Sequence, residues 1–137
     1  MTVSKVYNFL DKPRQLAYQI YGLEKKKAAL ESCLYPSGIR YDTDPVQSSP
    51  DDSMAELVSK IDELERKIVK LKKERARTIK RIGEMIDLLP YEREKAILTA
   101  FYLEGVSVSK IAEDINYSIQ RVYQLRRNAV FHLAKRL

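Results

Sequence analysis

The sequence predicts an all-α protein, a long antiparallel helical hairpin followed by a compact three-helix head. Three observations lead there. Apolar residues make up 45% and charged residues 32% of 137, with only four Gly and five Pro, a balance that suits long amphipathic helices better than a turn-rich β protein. Leucines, isoleucines and a methionine recur at alternating spacings of three and four in two separate stretches. The final third is cut into short apolar-periodic pieces by a glycine, two serines and an asparagine.

The first helix is expected to begin at Asp11, whose carboxylate can cap it, with Pro13 in the first turn where a missing amide donor costs little. Leu16, Ile20, Leu23, Lys27, Leu30 and Leu34 then form one seam of a heptad pattern. Lys27 is the misfit on that seam. Its charge either reaches solvent along its aliphatic stem or specifies the register. Cys33 has no partner for an internal disulfide and reads as a small packed residue.

Residues 35 to about 50 hold three of the five prolines and a glycine, and read as an unusually long loop. A second helix should start there, with Ser49 as its hydroxyl cap, Pro50 at its first position and Asp51 and Asp52 near the positive end of the dipole. Met54, Leu57, Ile61, Leu64, Ile68 and Leu71 continue in heptad register, then Arg75 and Thr78 interrupt it, then Ile82, Met85 and Leu89 resume until Pro90 stops the helix. Folding back antiparallel brings Leu34 to Met54, Ile20 to Ile68 and Leu16 to Leu71, so residues 1–89 read as a stalk and 90–137 as a head. Helix one should end at the polar interruption. Arg66 to Arg81 contains nine Lys or Arg and one acid, Glu74; this is either a solvated face or a second phosphate-contacting surface.

In the head, Tyr91 to Leu103 carries Ala96, Ile97, Ala100, Phe101 and Leu103 at helical spacing, and Gly105 ends it. Ser107 caps a short helix from Val108 to Ile115, Asn116 and Tyr117 form a turn, and Ser118 caps a last helix carrying Val122, Leu125, Ala129 and Leu133. This is the pattern of a helix-turn-helix. Two short helices crossing steeply need a small residue at the crossing, which Ala112 supplies. The tight turn needs one residue in the left-handed region, which Asn116 tolerates. Ile111, Ile115, Val122 and Leu125 are expected to fix the interhelical angle. Phe131 lies off this apolar face, and His132 has no acid one turn away.

The net charge of +6 is uneven: from Ile115 onward there are five basic residues and no acid. A helix of one sign points to an anionic partner, and nucleic acid is the commonest. In a helix-turn-helix the first residues of the second helix reach base edges while flanking cations and hydroxyls hold phosphates. Ile119, Gln120, Tyr123 and Gln124 are therefore the expected base-contacting residues, with Gln120 and Gln124 facing adenine edges and Ile119 a thymine methyl group. Ser107, Lys110, Ser118, Arg121, Arg126 and Arg127 are the expected phosphate contacts.

The stretch from LPYEREKAIL through YLEGVSVSKIAEDINYSIQRVYQLRRNAV resembles region 4 of primary sigma factors. With the preceding hairpin and the VQSSPDDS stretch, almost the whole chain resembles a family of small phage and prophage transcriptional regulators, near the late-operon activators of phages of Gram-positive hosts. Arg121 and Gln124 match the sigma pattern, whereas Ile119 and Gln120 stand where Arg and Glu are usual and Tyr123 replaces a common Arg. The resemblance implies major-groove docking on double-stranded DNA, and the preferred reading is a promoter-binding regulator whose stalk makes homo-oligomers or contacts host RNA polymerase. No segment resembles a promoter-opening region. A small-terminase-like DNA-packaging subunit and a polymerase-interacting protein without DNA contact are the alternatives.

An enzyme is not expected, because the acids, His132 and Cys33 suggest no convergent catalytic set and no catalytic residues are assigned. One Cys and one His offer no metal site, and no cofactor is implied. No stretch approaches the roughly 18 uncharged apolar residues of a membrane span, and the first residues lack a signal-peptide pattern, so a cytoplasmic location without a membrane partner is expected.

Overall fold

The computed structural model describes residues 1–34 and 50–137. The chain is all-α. Its elements are α1 (Val3–Leu34), α2 (Pro50–Ile86), α3 (Glu92–Leu98) running into a π-helical turn (Thr99–Leu103), α4 (Val108–Ile115) and α5 (Ile119–Arg136), with no strand among the described residues. The expected loop at about 35–50 and the Ser49 cap lie outside the described residues. Among the described residues, no helix is long and apolar enough to cross a membrane.

Packing divides the chain into two compact units, Met1–Ala17 with Glu74–Leu137, and Tyr18–Lys73. The sequence placed a boundary between residues 89 and 90. The packing instead groups the first turns of α1 and the last turns of α2 with the head, for a reason visible in the apolar side chains. Val6 and Leu10 of α1, Ile82, Met85, Ile86 and Leu89 at the end of α2, Leu98 of α3, and Ala129, Val130 and Leu133 of α5 form one buried cluster. Fully burying a side chain the size of Leu10 contributes about 1.5–3 kcal/mol.

That cluster also explains why α1 does not start at Asp11. Thr2 caps it, its hydroxyl accepting from the Lys5 amide at 3.3 Å, and Pro13 sits inside the helix rather than in its first turn. An interior proline cannot donate to the carbonyl four residues back and costs about 3 kcal/mol. Burial of Val6, Leu10 and Pro13 itself offsets that cost, and the Arg75 Nε donates to the Pro13 carbonyl at 3.1 Å. Arg75 therefore holds α1 rather than marking its end, and Lys12 and Glu74 pair beside it at 3.3 Å. Thr78 is buried, its hydroxyl donating to the Glu74 carbonyl one turn back at 2.9 Å. At the far end α2 tightens before Pro90, the Leu88 and Leu89 amides reaching back three residues to Met85 and Ile86.

In the Tyr18–Lys73 unit most of the heptad seam is packed as its spacing predicts, with Ile20, Ile61, Leu64 and Ile68 buried and Leu23, Leu30, Leu57 and Leu71 half-buried, but Met54, expected to meet Leu34, is 49% exposed. Pairing of Glu24 with Lys72 at 3.2 Å and of Lys27 with Glu65 at 2.9 Å makes the two helices antiparallel. Lys27 does not simply reach for solvent. Hydrogen bonding to Glu65, with Glu31 on its own helix at 3.5 Å, holds its ammonium above the ordinary lysine pKa. Cys33 is exposed, not packed, because Leu30 and Leu34 occupy the inward positions of that last turn.

Candidate nucleic-acid interface

The candidate interface is built at the junction of α4 and α5, and each bend leading to it has a local cause. The π-helical turn closes with the Glu104 amide donating to the Thr99 carbonyl at 3.1 Å, and the Val106 amide then reaches Ala100 at 2.9 Å. Gly105 makes this possible with φ of 73°, a left-handed conformation that glycine adopts without steric cost. Ser107 caps α4 by accepting from the Lys110 amide at 3.2 Å. Asn116 holds φ 61° and ψ 44°, so α4 ends in the left-handed turn with the Tyr117 amide bonded to the Ala112 carbonyl at 2.9 Å. Ser118 caps α5 by accepting from the Arg121 amide at 3.1 Å.

The angle between the helices is fixed by a second buried cluster of Ile97, Val108, Ile111, Ala112, Val122 and Leu125, with Tyr117, Phe101, Ala100 and Val106 against it. Ile115, expected in this set, is 36% exposed. The left-handed turn at the next residue brings Tyr117 onto the cluster in its place, with the Arg93 guanidinium 5.9 Å from the Tyr117 ring. Ala96 is likewise exposed, since Ile97 and Leu98 fill the buried side of α3.

On the outward side of α5, Ser118, Gln120, Arg121, Tyr123, Gln124 and Arg127 line one concave surface. Ile119 lies outside that lining and is 47% exposed, while Tyr123 is 39% exposed. The Arg121 guanidinium donates to the Gln124 Oε1 at 2.7 Å. This bond fixes the amide so that the Gln124 Nε2 donor is left for an external acceptor. Lys110 pairs with Asp114 one turn along α4 at 3.1 Å, which offsets part of its charge. The hydroxyls of Ser107 and Ser118 accept as caps and keep their own hydrogens for donation.

Arg126 is placed differently from the other expected phosphate contacts. It is half-buried, its guanidinium 4.6 Å from the Phe101 ring and 5.2 Å from the Tyr123 ring, and its Nε is buried with no hydrogen-bond partner. Stacking on two rings commits this cation to holding Tyr123 rather than extending outward. Arg14 of α1 also stacks on Phe101, at 4.7 Å, and reaches the Phe101 carbonyl at 3.4 Å. Sequence reading missed this contribution of α1. The π-helical turn, which has no signature in the sequence, is the element that carries Phe101.

His132 does have an acidic neighbour, though not on its own helix. Glu94 of α3 is only 4% exposed, and its carboxylate lies 2.8 and 3.0 Å from the His132 Nδ1, with the Tyr91 ring 5.4 Å from the imidazole. The bond satisfies a carboxylate that would otherwise be costly to bury and fixes α3 against α5 behind the interface. No cluster of three or more His, Cys, Asp or Glu able to hold a metal ion occurs among the described residues. Phe131 is exposed, with the Lys135 ammonium 4.5 Å from its ring.

Residues 43–134 match a protein family described as "Protein of unknown function (DUF1492)". The chain belongs to that family. The DUF1492 match takes in α2, α3 and α4 and every residue of the concave surface on α5, while Val6, Leu10 and Arg14 of α1 lie outside it. No curated protein and no solved structure matches the chain.

Proposed function

We propose that the protein is a sequence-specific regulator that binds double-stranded DNA, with the first turns of α5 in the major groove in the manner of sigma region 4. The observation that carries this reading is the solvent-facing surface of Ser118, Gln120, Arg121, Tyr123, Gln124 and Arg127 at the start of the second helix of a tightly turned pair, on a segment that has five basic residues and no acid. Polar groups that can read base edges stand there beside cations that can hold phosphates. Gln120 and Gln124, with Ile119 and Tyr123 at their sides, read the bases. Arg121 and Arg127 hold the backbone, with Lys110 and the hydroxyls of Ser107 and Ser118 flanking them. Arg126 acts chiefly by stacking Tyr123 into place.

In this reading the protein is a phage or prophage regulator acting at promoters with host RNA polymerase, and self-association supplies the paired half-sites that one small head needs for useful specificity. Selection of bound duplexes from a random pool tests it directly. A recovered consensus is the expected outcome, and recovery of random sequence or of no duplex at low salt sinks the proposal. On the selected site, Gln124→Ala should cost about 1–3 kcal/mol and relax specificity at one base pair, while Arg121→Ala should weaken all duplexes and lower the salt slope by about one. The Arg121–Gln124 bond adds a further expectation, that the double variant loses less than the sum of the two single losses.

A further inference from the structure

Within the Tyr18–Lys73 unit, α2 is sharply polarised along its length. Residues 52–65 carry five acids and one base, and residues 66–73 carry five bases and no acid. Two shallow grooves along this helix, one containing Met54 and Val58 and the other Val69 and Lys70, share Asp62 and Arg66 and so form one continuous stripe. Along it Met54, Val58 and Val69 are 49%, 42% and 50% exposed. Asp62, Glu63, Arg66 and Lys70 make no ion pair among the described residues, although Asp62 and Arg66 are one turn apart; the pairs that α2 does form in this unit join Lys60 to Glu56, Lys27 to Glu65 and Lys72 to Glu24.

We propose that this stripe is a self-association surface, on which α2 of a second copy of the chain lies antiparallel. A duplex would meet the basic half favourably and the adjoining acidic half unfavourably, because phosphates carry one sign only. An antiparallel copy meets both. Its basic half falls on the acidic half of the first chain and the reverse, about a two-fold axis near Glu65 and Arg66, which is the self-complementarity an isologous dimer requires. The exposed Val58 and Val69 supply apolar contact on either side of that axis. The apolar area is modest and the charges are solvent-accessible, so the dimer is sensitive to salt.

This inference deepens the self-association in the proposed function, and it is tested without DNA so that the two can fail separately. Sedimentation equilibrium of the full chain at low ionic strength should give the mass of two 15.9 kDa chains, falling toward one as salt rises. The variants Asp62→Lys/Glu63→Lys and Arg66→Glu/Lys70→Glu should each weaken the dimer about tenfold or more by opposing like charges. An equimolar mixture of the two should dimerise again, since each then meets opposite charge. If either variant loses helical circular dichroism, the neutral pair Asp62→Asn/Glu63→Gln and Arg66→Gln/Lys70→Gln carries the test through reduced salt dependence of dimerisation. A monomeric wild-type chain, a dimer indifferent to these changes, or a mixture that stays monomeric overturns the proposal.

Discussion

The head and the Tyr18–Lys73 hairpin are both helical, but they are specified by different means. In the hairpin, Ile20, Leu23, Leu30, Ile61, Leu64 and Ile68 do similar work at repeated positions, so no single side chain decides the geometry. In the head, Gly105, Ser107, Ala112, Asn116 and Ser118 each perform a task that few other residue types can perform. A repeated seam tolerates loss at one position, whereas a set of unique devices does not.

The largest test of that contrast is a pair of truncations. Leu10→Ala, at a fully buried position of α1 in the unit that contains the head, should cost about 2–5 kcal/mol in urea unfolding, and Leu30→Ala, at a half-buried hairpin position, should cost less than half as much. Equal losses would erase the distinction. Next comes Ala112→Leu, which forces extra volume into the packed cluster between α4 and α5 and should cost about 1–3 kcal/mol; a neutral result would mean that the two helices do not approach as closely there as their packing requires.

Asn116→Ala should cost about 1–2 kcal/mol because alanine resists φ of 61°, while Asn116→Gly should be tolerated. Thermal unfolding of the two variants distinguishes backbone conformation from a lost side-chain contact, which would penalise both alike. Ser118→Ala should remove about 1 kcal/mol by leaving the Arg121 amide without its cap.

The smallest effects are alkaline and occur in both regions. Burial raises the Tyr102 pKa above 10.0, so above that pH the unfolded chain gives up this proton more readily than the folded one and stability falls. Lys27 is also raised, from 10.5, by its Glu65 partner; its contribution is present below that pH and is lost as pH rises through the higher folded value. Tyr102→Phe should flatten the decline beginning near pH 10, and Lys27→Met the part above it, in denaturation curves measured across the alkaline range. A profile unchanged by either substitution would remove these groups from the linkage.

The head was legible because its devices are local. Cap, turn and crossing residues lie within a few positions of the atoms they serve, so Ser107, Ala112, Asn116 and Ser118 could be assigned from spacing alone. What escaped depends on partners far along the chain. Pro13 matches a helix start, and only the burial of Val6 and Leu10 against α2 and α5 makes an interior proline affordable. Glu94 and His132 are separated by 38 positions and meet only once α3 packs on α5. Arg126 reads as one cation in a basic run, and its stacking needs Phe101 delivered by the π-helical turn. In the hairpin, the seam was legible from period, but the choice between two outlets for the Lys27 charge required the Glu65 position on the opposite helix.

The cluster that joins Val6 and Leu10 to Leu133 also sets the order of events during synthesis. At the usual pace of translation, the interval between making residues 6 and 133 is on the order of ten seconds. Until α5 emerges from the ribosome, those early apolar side chains lack the far wall of their pocket. The nascent chain must therefore carry them without that wall throughout this interval, a period in which chaperone binding would shield them and premature release would leave them prone to aggregate.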